Sequence, residues 1–330
     1  MKKALLWIGV LISVALLAFS LRNLKLDEFW RVLQTANLWW IAPGIALYFM
    51  AVWCRAWRWA FMLRPLGAPL SANRLFSTIV IGYMGNNIYP ARIGEILRAW
   101  VLRRNEGIAM PSSLATVLLE RVIDGLVMVA FVLIGLPRVP SLSLEAARVI
   151  IIALIAFLGV IAVFFWFAAA PAMAERLSAS IINKVAPVAA RTPLMNMLSR
   201  FFAGAKSLSS PVDLAKIVLA SVVVWLLETG KYWCLATAFG LSLPFDGLML
   251  INGVSNLFTV IPGAPGAIGT FDAGGILAAE ALGVPTSLAS AYILVLHVAL
   301  WLPVTLLGAF FMLRQGLHWA DLKQAETAQI

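Results

Sequence analysis

Four short stretches set ionisable or backbone-loosening residues at telling spacings inside apolar sequence. In "YPARIGEILRAW", Pro90 is followed by Arg92, Glu95 and Arg98. Proline has no backbone N–H to donate and suits a first helical turn, so a helix is expected from Pro90 to about Arg104. On such a helix Arg92 and Glu95, and again Glu95 and Arg98, are i,i+3 neighbours, and one carboxylate can bridge two guanidiniums. Arginine forks match phosphate in a bidentate manner. Asn86 and Asn87, just ahead of the break, add amide donors. The row fits a phosphate-bearing headgroup, and it fits equally a ladder of salt bridges at the end of a span.

In "TVLLERVIDGL", Glu120, Arg121 and Asp124 fall about two turns into an otherwise apolar helix. Ionisable groups at such depth face a bundle interior or a cavity and are paired there. Two acids against one local base leave a spare negative charge, for which Arg92 or Arg98 is the natural partner. A binding role and structural bracing both follow from that. "WLLETGKYW" offers Glu228 and Lys231, also i,i+3, for which mutual neutralisation is the simpler reading. "NLFTVIPGAPGAIGTFDAGG" holds Pro262, Pro265, Gly266 and Gly269 with one charge, Asp272. Its glycines permit close backbone approach, and its free amides and carbonyls suit a polar headgroup. It is not a phosphate loop of the Walker type, because it lacks the G-K-[ST] ending. Arg55 and Arg58 in "WCRAWRWAF" read as side chains snorkelling toward the cytoplasmic face, a contact with Trp59 or a lipid phosphate being the alternative.

These residues need a membrane to make sense of them. Hydrophobic residues make up 62% of the chain and charged ones 12%, against about 25% charged in soluble domains. Apolar windows at about 4–21, 38–62, 113–136, 148–168, 214–239 and 287–313 are each long enough to cross a hydrocarbon core. Segments 75–89 and 247–261 are shorter and end in Gly/Pro clusters. The net charge of +10 is explained by cytoplasmic basic loops and anionic lipid rather than by nucleic acid. Cys54 and Cys234 both fall within expected spans, which argues against a disulfide framework or a thiolate metal site. His297 and His318 fit no metal or nucleophile motif. No cofactor is expected. The N-terminal run reads as an uncleaved span with Lys2 and Lys3 in the cytoplasm, with a signal peptide cleaved after "LLAFS" as the alternative.

Laying the chain over itself at an offset of about 175 positions brings Pro69 onto Pro244, Pro90 onto Pro265, Ile93 onto Ile268 and Gly94 onto Gly269. The spacing predicts two repeat units, about 38–136 and 214–313, within one transmembrane domain. Placing the basic residues inside requires that segment 75–89 turn back before crossing. The second unit then runs the opposite way. The expected architecture is an all-α polytopic membrane protein with about six full spans and two re-entrant helical hairpins in an inverted repeat. Such repeats, broken at matching positions, point to a midplane transport site, though tight turns of ordinary hairpins would also explain the breaks. The stretch 171–212 reads as an amphipathic cytoplasmic linker on the inner leaflet.

At this point a resemblance enters. "NNIYPARIGEILRAWVLRRNEGI", "LLERVIDGL" and "IPGAPGAIGTFDAG", in that order, resemble the successive motifs of the lysylphosphatidylglycerol synthase transmembrane region family, over roughly residues 5–315. The resemblance implies a helical membrane domain with re-entrant segments. In the branch that contains the flippase half of the multiple peptide resistance factor, it implies movement of aminoacylated phosphatidylglycerol between leaflets. By motif position it singles out Asn87, Pro90, Arg92, Glu95 and Arg98, then Glu120, Arg121 and Asp124, then Pro262, Pro265, Gly266, Gly269 and Asp272. The aminoacyltransferase of that branch has no counterpart before the ending "HWADLKQAETAQI", so the lysyl lipid is not singled out; hopanoid and polyprenyl-sugar lipids, associated with stand-alone relatives, stand beside it.

The expected function is therefore that of a non-enzymatic lipid flippase of the bacterial cytoplasmic membrane with both termini inside. Its partners would be membrane lipids with anionic or phosphate-bearing headgroups, and a homo-oligomer is compatible with this reading. A membrane-embedded enzyme modifying lipid headgroups, with Glu120 or Asp124 as general base, is the alternative. A non-catalytic subunit of a glycolipid assembly system is another.

Overall fold

A computed structural model of the chain describes residues 2–21, 25–67, 70–89, 93–140 and 211–317, with scattered positions between 155 and 199. The span expected at 148–168 and the linker at 171–212 fall largely outside the described residues, and Pro69, Pro90 and Arg92 fall wholly outside them.

Among the described residues all regular structure is helical. The helices are α1 (Lys2–Leu21), α2 (Leu26–Thr35), α3 (Ile41–Leu63), α4 (Ala72–Ile88), α5 (Ile93–Glu106), α6 (Met110–Gly135), α7 (Pro211–Ala238), α8 (Phe245–Phe258), α9 (Thr270–Ala281) and α10 (Thr286–Arg314). Prolines open several of them: Pro111 lies in the first turn of α6, and Pro244 and Pro285 precede α8 and α10. At these places no intrahelical N–H is forfeited.

Two helical stretches, Leu38–Leu66 and Thr286–Arg314, are long and apolar enough to cross a membrane on length and hydropathy alone. The apolar run of α6 is interrupted by Glu120, Arg121 and Asp124, which pair with charges on other helices. Helix α2, outside the apolar windows, is tied to α10 where the Ser287 hydroxyl donates to Glu28 at 3.0 Å. Hydrogen bonds from Lys25 and then Ser287 lower the pKa of the Glu28 carboxyl.

The helix ends recur at the offset seen in the sequence. Leu63 and Ala238 end α3 and α7, and Glu106 and Ala281 end α5 and α9. The packing follows the same exchange: α3 lies along α7, α4 packs on α10 as α8 packs on α6, and α4 pairs with α5 as α8 pairs with α9. Facing contacts match Gly82 with Arg98 and Gly85 with Gly94, as in an antiparallel hairpin. Gly94 is required there, because a Cβ would overlap the Gly82 carbonyl oxygen and the Asn86 amide. Removing the side chain lets two backbones touch, as is common where membrane helices pack closely.

Helix α1 rests on α9. The Ser13 hydroxyl accepts from the Ala264 amide at 2.7 Å, and Gly269 presses against the Ser13 backbone. Gly269 stands at φ 88°, the left-handed region, and precedes α9 as its cap. Its amide donates to Asp272 at 2.8 Å, so the single acid of this turn is partly used to hold the helix start.

Candidate functional site

The two breaks meet around one polar cavity of about 230 Å³. From the first unit it is lined by Tyr48 and Arg55 of α3, Tyr83, Asn86 and Asn87 of α4, Glu95 of α5 and Arg121 of α6. The second unit contributes Trp225, Glu228 and Lys231 of α7, Asn256 of α8, Gly266 and Ala267 of the turn, Phe271 of α9, and His297 and Trp301 of α10. Asn87 is fixed across the two units, its amide donating to Thr305 at 2.8 Å and to the Trp301 carbonyl at 3.2 Å.

Behind this wall runs a continuous chain of ion pairs. Arg121 meets Glu95 at 3.0 Å and Glu120 at 3.7 Å. Glu120 also meets Arg98 at 2.8 Å and Arg58 at 3.1 Å. Arg58 passes on to Asp124, which is met by Arg55 at 3.0 Å, and Arg55 reaches Glu228 at 3.2 Å. Glu228 ends on Lys231. Arg58, Glu120 and Asp124 have no exposed surface. Aromatic groups complete the lining: the Arg98 guanidinium lies 3.6 Å from the Trp59 ring centre, and the Trp225 indole N–H donates to Asp124 at 3.1 Å.

The chain joins five cations, Arg55, Arg58, Arg98, Arg121 and Lys231, to four carboxylates, Glu95, Glu120, Asp124 and Glu228. Charges withdrawn from water are tolerated only when paired and hydrogen-bonded. Among the described residues one positive charge of this chain is left over, and three of its cations, Arg55, Arg121 and Lys231, reach the cavity. Such a wall suits an anion with several oxygens.

Several expected partnerships are redrawn. Glu95 pairs with Arg121, while Arg98 turns from Glu95 to Glu120; Arg92 lies outside the described residues. The spare acid of α6 does find Arg98, one of the two partners expected. Asp124 pairs with Arg55 and Arg58, not with Arg121. Those two arginines do not snorkel; they are 4% and 0% exposed, and it is Arg98 that stacks on Trp59. Glu228 and Lys231 do pair with each other, with Arg55 as a third member.

Of the residues singled out by sequence, Asn86, Asn87, Glu95, Arg121, Glu228, Lys231 and Gly266 line the cavity, and Arg98, Glu120 and Asp124 stand behind it. Pro262, Pro265 and Gly269 shape the second turn without lining the cavity, and Asp272 reaches it through His297. Tyr48, Arg55, Arg58, Tyr83, Trp225, Asn256, His297 and Trp301 were not singled out as site residues. For Arg55 and Arg58 a signal existed, since both lie well inside an apolar segment where ionisable groups are costly. For His297 there was none.

A bundle of apolar helices closed around a buried ion-pair chain and a polar cavity is the architecture of a helical membrane protein. The chain belongs to the lysylphosphatidylglycerol synthase transmembrane region family, whose sequence model matches residues 6–308. It is 28% identical over 284 residues to a UPF0104 membrane protein of Methanothermobacter thermautotrophicus, covering 82% of each chain. A UPF0104 membrane protein of Methanocaldococcus jannaschii is 23% identical, with 94% of this chain and 93% of that one covered. The glycosyltransferase AglD of Haloferax volcanii is 24% identical across 91% of this chain but only 52% of its own length. No solved structure matches.

Proposed function

We propose that the protein moves a lipid with a phosphate-bearing headgroup between leaflets, the headgroup entering the cavity while the acyl chains stay in the bilayer. The observation that carries this is the excess of one positive charge in the ion-pair chain, presented to the cavity by Arg55, Arg121 and Lys231. In this reading those three hold the phosphate, and Asn86, Asn87 and Asn256 add donors. Glu95, Glu120, Asp124 and Glu228 tune the charge and exchange partners as access alternates. No catalytic step is assigned.

The helix pairs α4–α5 and α8–α9 are the re-entrant hairpins of this proposal. At 1.5 Å per residue their members are about 18–26 Å long, short of a ~30 Å hydrocarbon core, and the matched packing of the two units supports an inverted repeat. Six full spans and cytoplasmic termini complete the topology. Thiol labelling of cysteines placed at 88–92 and 264–268, in a background lacking Cys54 and Cys234, should mark the first set from the cytoplasmic side and the second from outside. Labelling of both sets from one side defeats the inversion.

The transport reading is tested in proteoliposomes of phosphatidylethanolamine and phosphatidylglycerol carrying a fluorescent phosphatidylglycerol, with dithionite bleaching of the outer leaflet. Protein-containing vesicles should lose well over half of the signal where empty ones lose about half. Bleaching identical to empty vesicles, repeated with polyprenyl-phosphate and glycolipid probes, rejects it. The match to AglD favours one further reading, a role beside a glycosyltransferase in handling polyprenyl-linked sugar lipids. Transport confined to the polyprenyl probes would select it.

A further inference from the structure

At the same cavity, His297 of α10 joins two other elements. Its Nδ1 lies 2.7 Å from the Asp272 carboxylate on α9, and its Nε2 lies 3.0 Å from the Gly266 carbonyl in the second turn. The ring packs on Phe271 with centroids 4.7 Å apart, and Asp272 is 1% exposed.

Counting protons decides what this contact means. A carbonyl oxygen only accepts, so Nε2 must carry a hydrogen and donate it to Gly266. The other nitrogen faces a carboxylate. Either Nδ1 carries a second hydrogen and donates it to an ionised Asp272, or a protonated Asp272 donates to a bare Nδ1. Both arrangements hold one proton more than a neutral imidazole beside an ionised carboxylate. Without that proton one of the two contacts sets lone pair against lone pair and is lost.

We infer that Asp272 and His297 form a proton-binding site that latches the Pro265–Ala267 turn to α10. The latch lies where the two units meet: the turn packs on α4, and Gly266 sits against the Trp301 indole, close to the Asn87 carbonyl. Binding a proton joins the turn to α9 and α10, and releasing it frees the turn at the cavity that Arg55 and Lys231 also line. Other titratable groups face the same space: Tyr48 and Arg55 from α3, Tyr83 from α4, Glu95 from α5, Arg121 from α6, and Glu228 and Lys231 from α7. Asp272 is the group in contact with the ring. Resting on the transport reading, the inference extends to coupling: opening of the cavity, and with it lipid movement, consumes a proton gradient.

Two measurements separate the site from the transport. The chain has two histidines, so ¹⁵N-histidine spectra of His318→Gln protein in nanodiscs report His297 alone. Across a pH series the spectra should show the ring in two protonation states, and a spin label at Ala267→Cys, in Cys54→Ala/Cys234→Ala protein, should become more mobile as the proton leaves. His297→Gln should abolish that pH dependence. A single protonation state throughout, or a titration that leaves the label unmoved, overturns the latch whether or not lipid moves. In proteoliposomes with the fluorescent phosphatidylglycerol, an imposed gradient should shift the steady-state lipid asymmetry by up to about tenfold per pH unit for one proton per lipid. In Asp272→Asn and His297→Gln the asymmetry with a gradient should equal that without one. Wild-type lipid movement indifferent to the gradient overturns the coupling while the transport reading stands. A titrating latch in protein that moves no lipid supports the site and defeats the transport reading instead.

Discussion

Asp124→Leu is expected to destabilise the folded protein by about 3–5 kcal/mol, the cost of leaving a buried charge without its partner. Asp124 receives Arg55 at 3.0 Å, Arg58, and the Trp225 indole at 3.1 Å, all among residues with almost no exposed surface. The leucine fills similar space but leaves Arg55 to Glu228 and Arg58 to Glu120, so the buried chain holds five cations against three carboxylates. Replacing the two arginines by methionine in the same protein should restore much of the loss, because Glu120 keeps Arg98 and Glu228 keeps Lys231. Unfolding midpoints in one detergent, compared across the single and triple variants, measure this. A single variant within about 1 kcal/mol of wild type would mean that Asp124 is not the junction described.

Arg121→Gln should do the reverse, sparing stability and removing function. Glu120 retains Arg58 and Arg98 when Arg121 is lost, and Glu95 lies at the cavity wall rather than behind it. What disappears is a charge-assisted hydrogen bond to the headgroup, worth about 1.5–3 kcal/mol. That corresponds to roughly ten- to hundred-fold weaker apparent affinity for an anionic lipid. The proteoliposome assay at varied fluorescent lipid content reads the change, with the unfolding midpoint as control. Undiminished transport by the glutamine variant would remove Arg121 from the headgroup contacts and weaken the phosphate reading with it.

The two variants part ways because the chain of charges is tertiary, and this also explains what the sequence could disclose. Helix limits were legible: the apolar windows locate α3, α6, α7 and α10, and the Gly/Pro clusters locate both breaks. An offset was legible too: Pro90 over Pro265 and Gly94 over Gly269 in the sequence give the spacing at which the ends of α3 and α7, and of α5 and α9, recur. Charge partners were less so. Spacing reports neighbours on one helix, and it paired Glu95 with Arg92 and Arg98 for that reason; the fold hands Glu95 to Arg121, about three helical turns into α6, and Arg98 to Glu120. Arg55 and Arg58 read as snorkelling toward the cytoplasmic face because a single apolar segment does not reveal which of its faces is covered. His297 and Asp272 are 25 positions apart, and nothing local marks them as a pair.

Glu120, Asp124 and Glu228 each touch at least two cations, and Arg55, Arg58 and Arg121 each touch two acids. A shared boundary of this kind behaves like a ladder whose rungs can be re-laid one at a time. In the proposed transport cycle, a link at Glu120, Asp124 or Glu228 can open to an anion while a second cation still holds the acid, which avoids a bare buried ion whose penalty is several kcal/mol. In that cycle the helices that carry the ladder would shift in small moves, one link at a time. A single isolated salt bridge at the same depth would have to break outright before anything could pass.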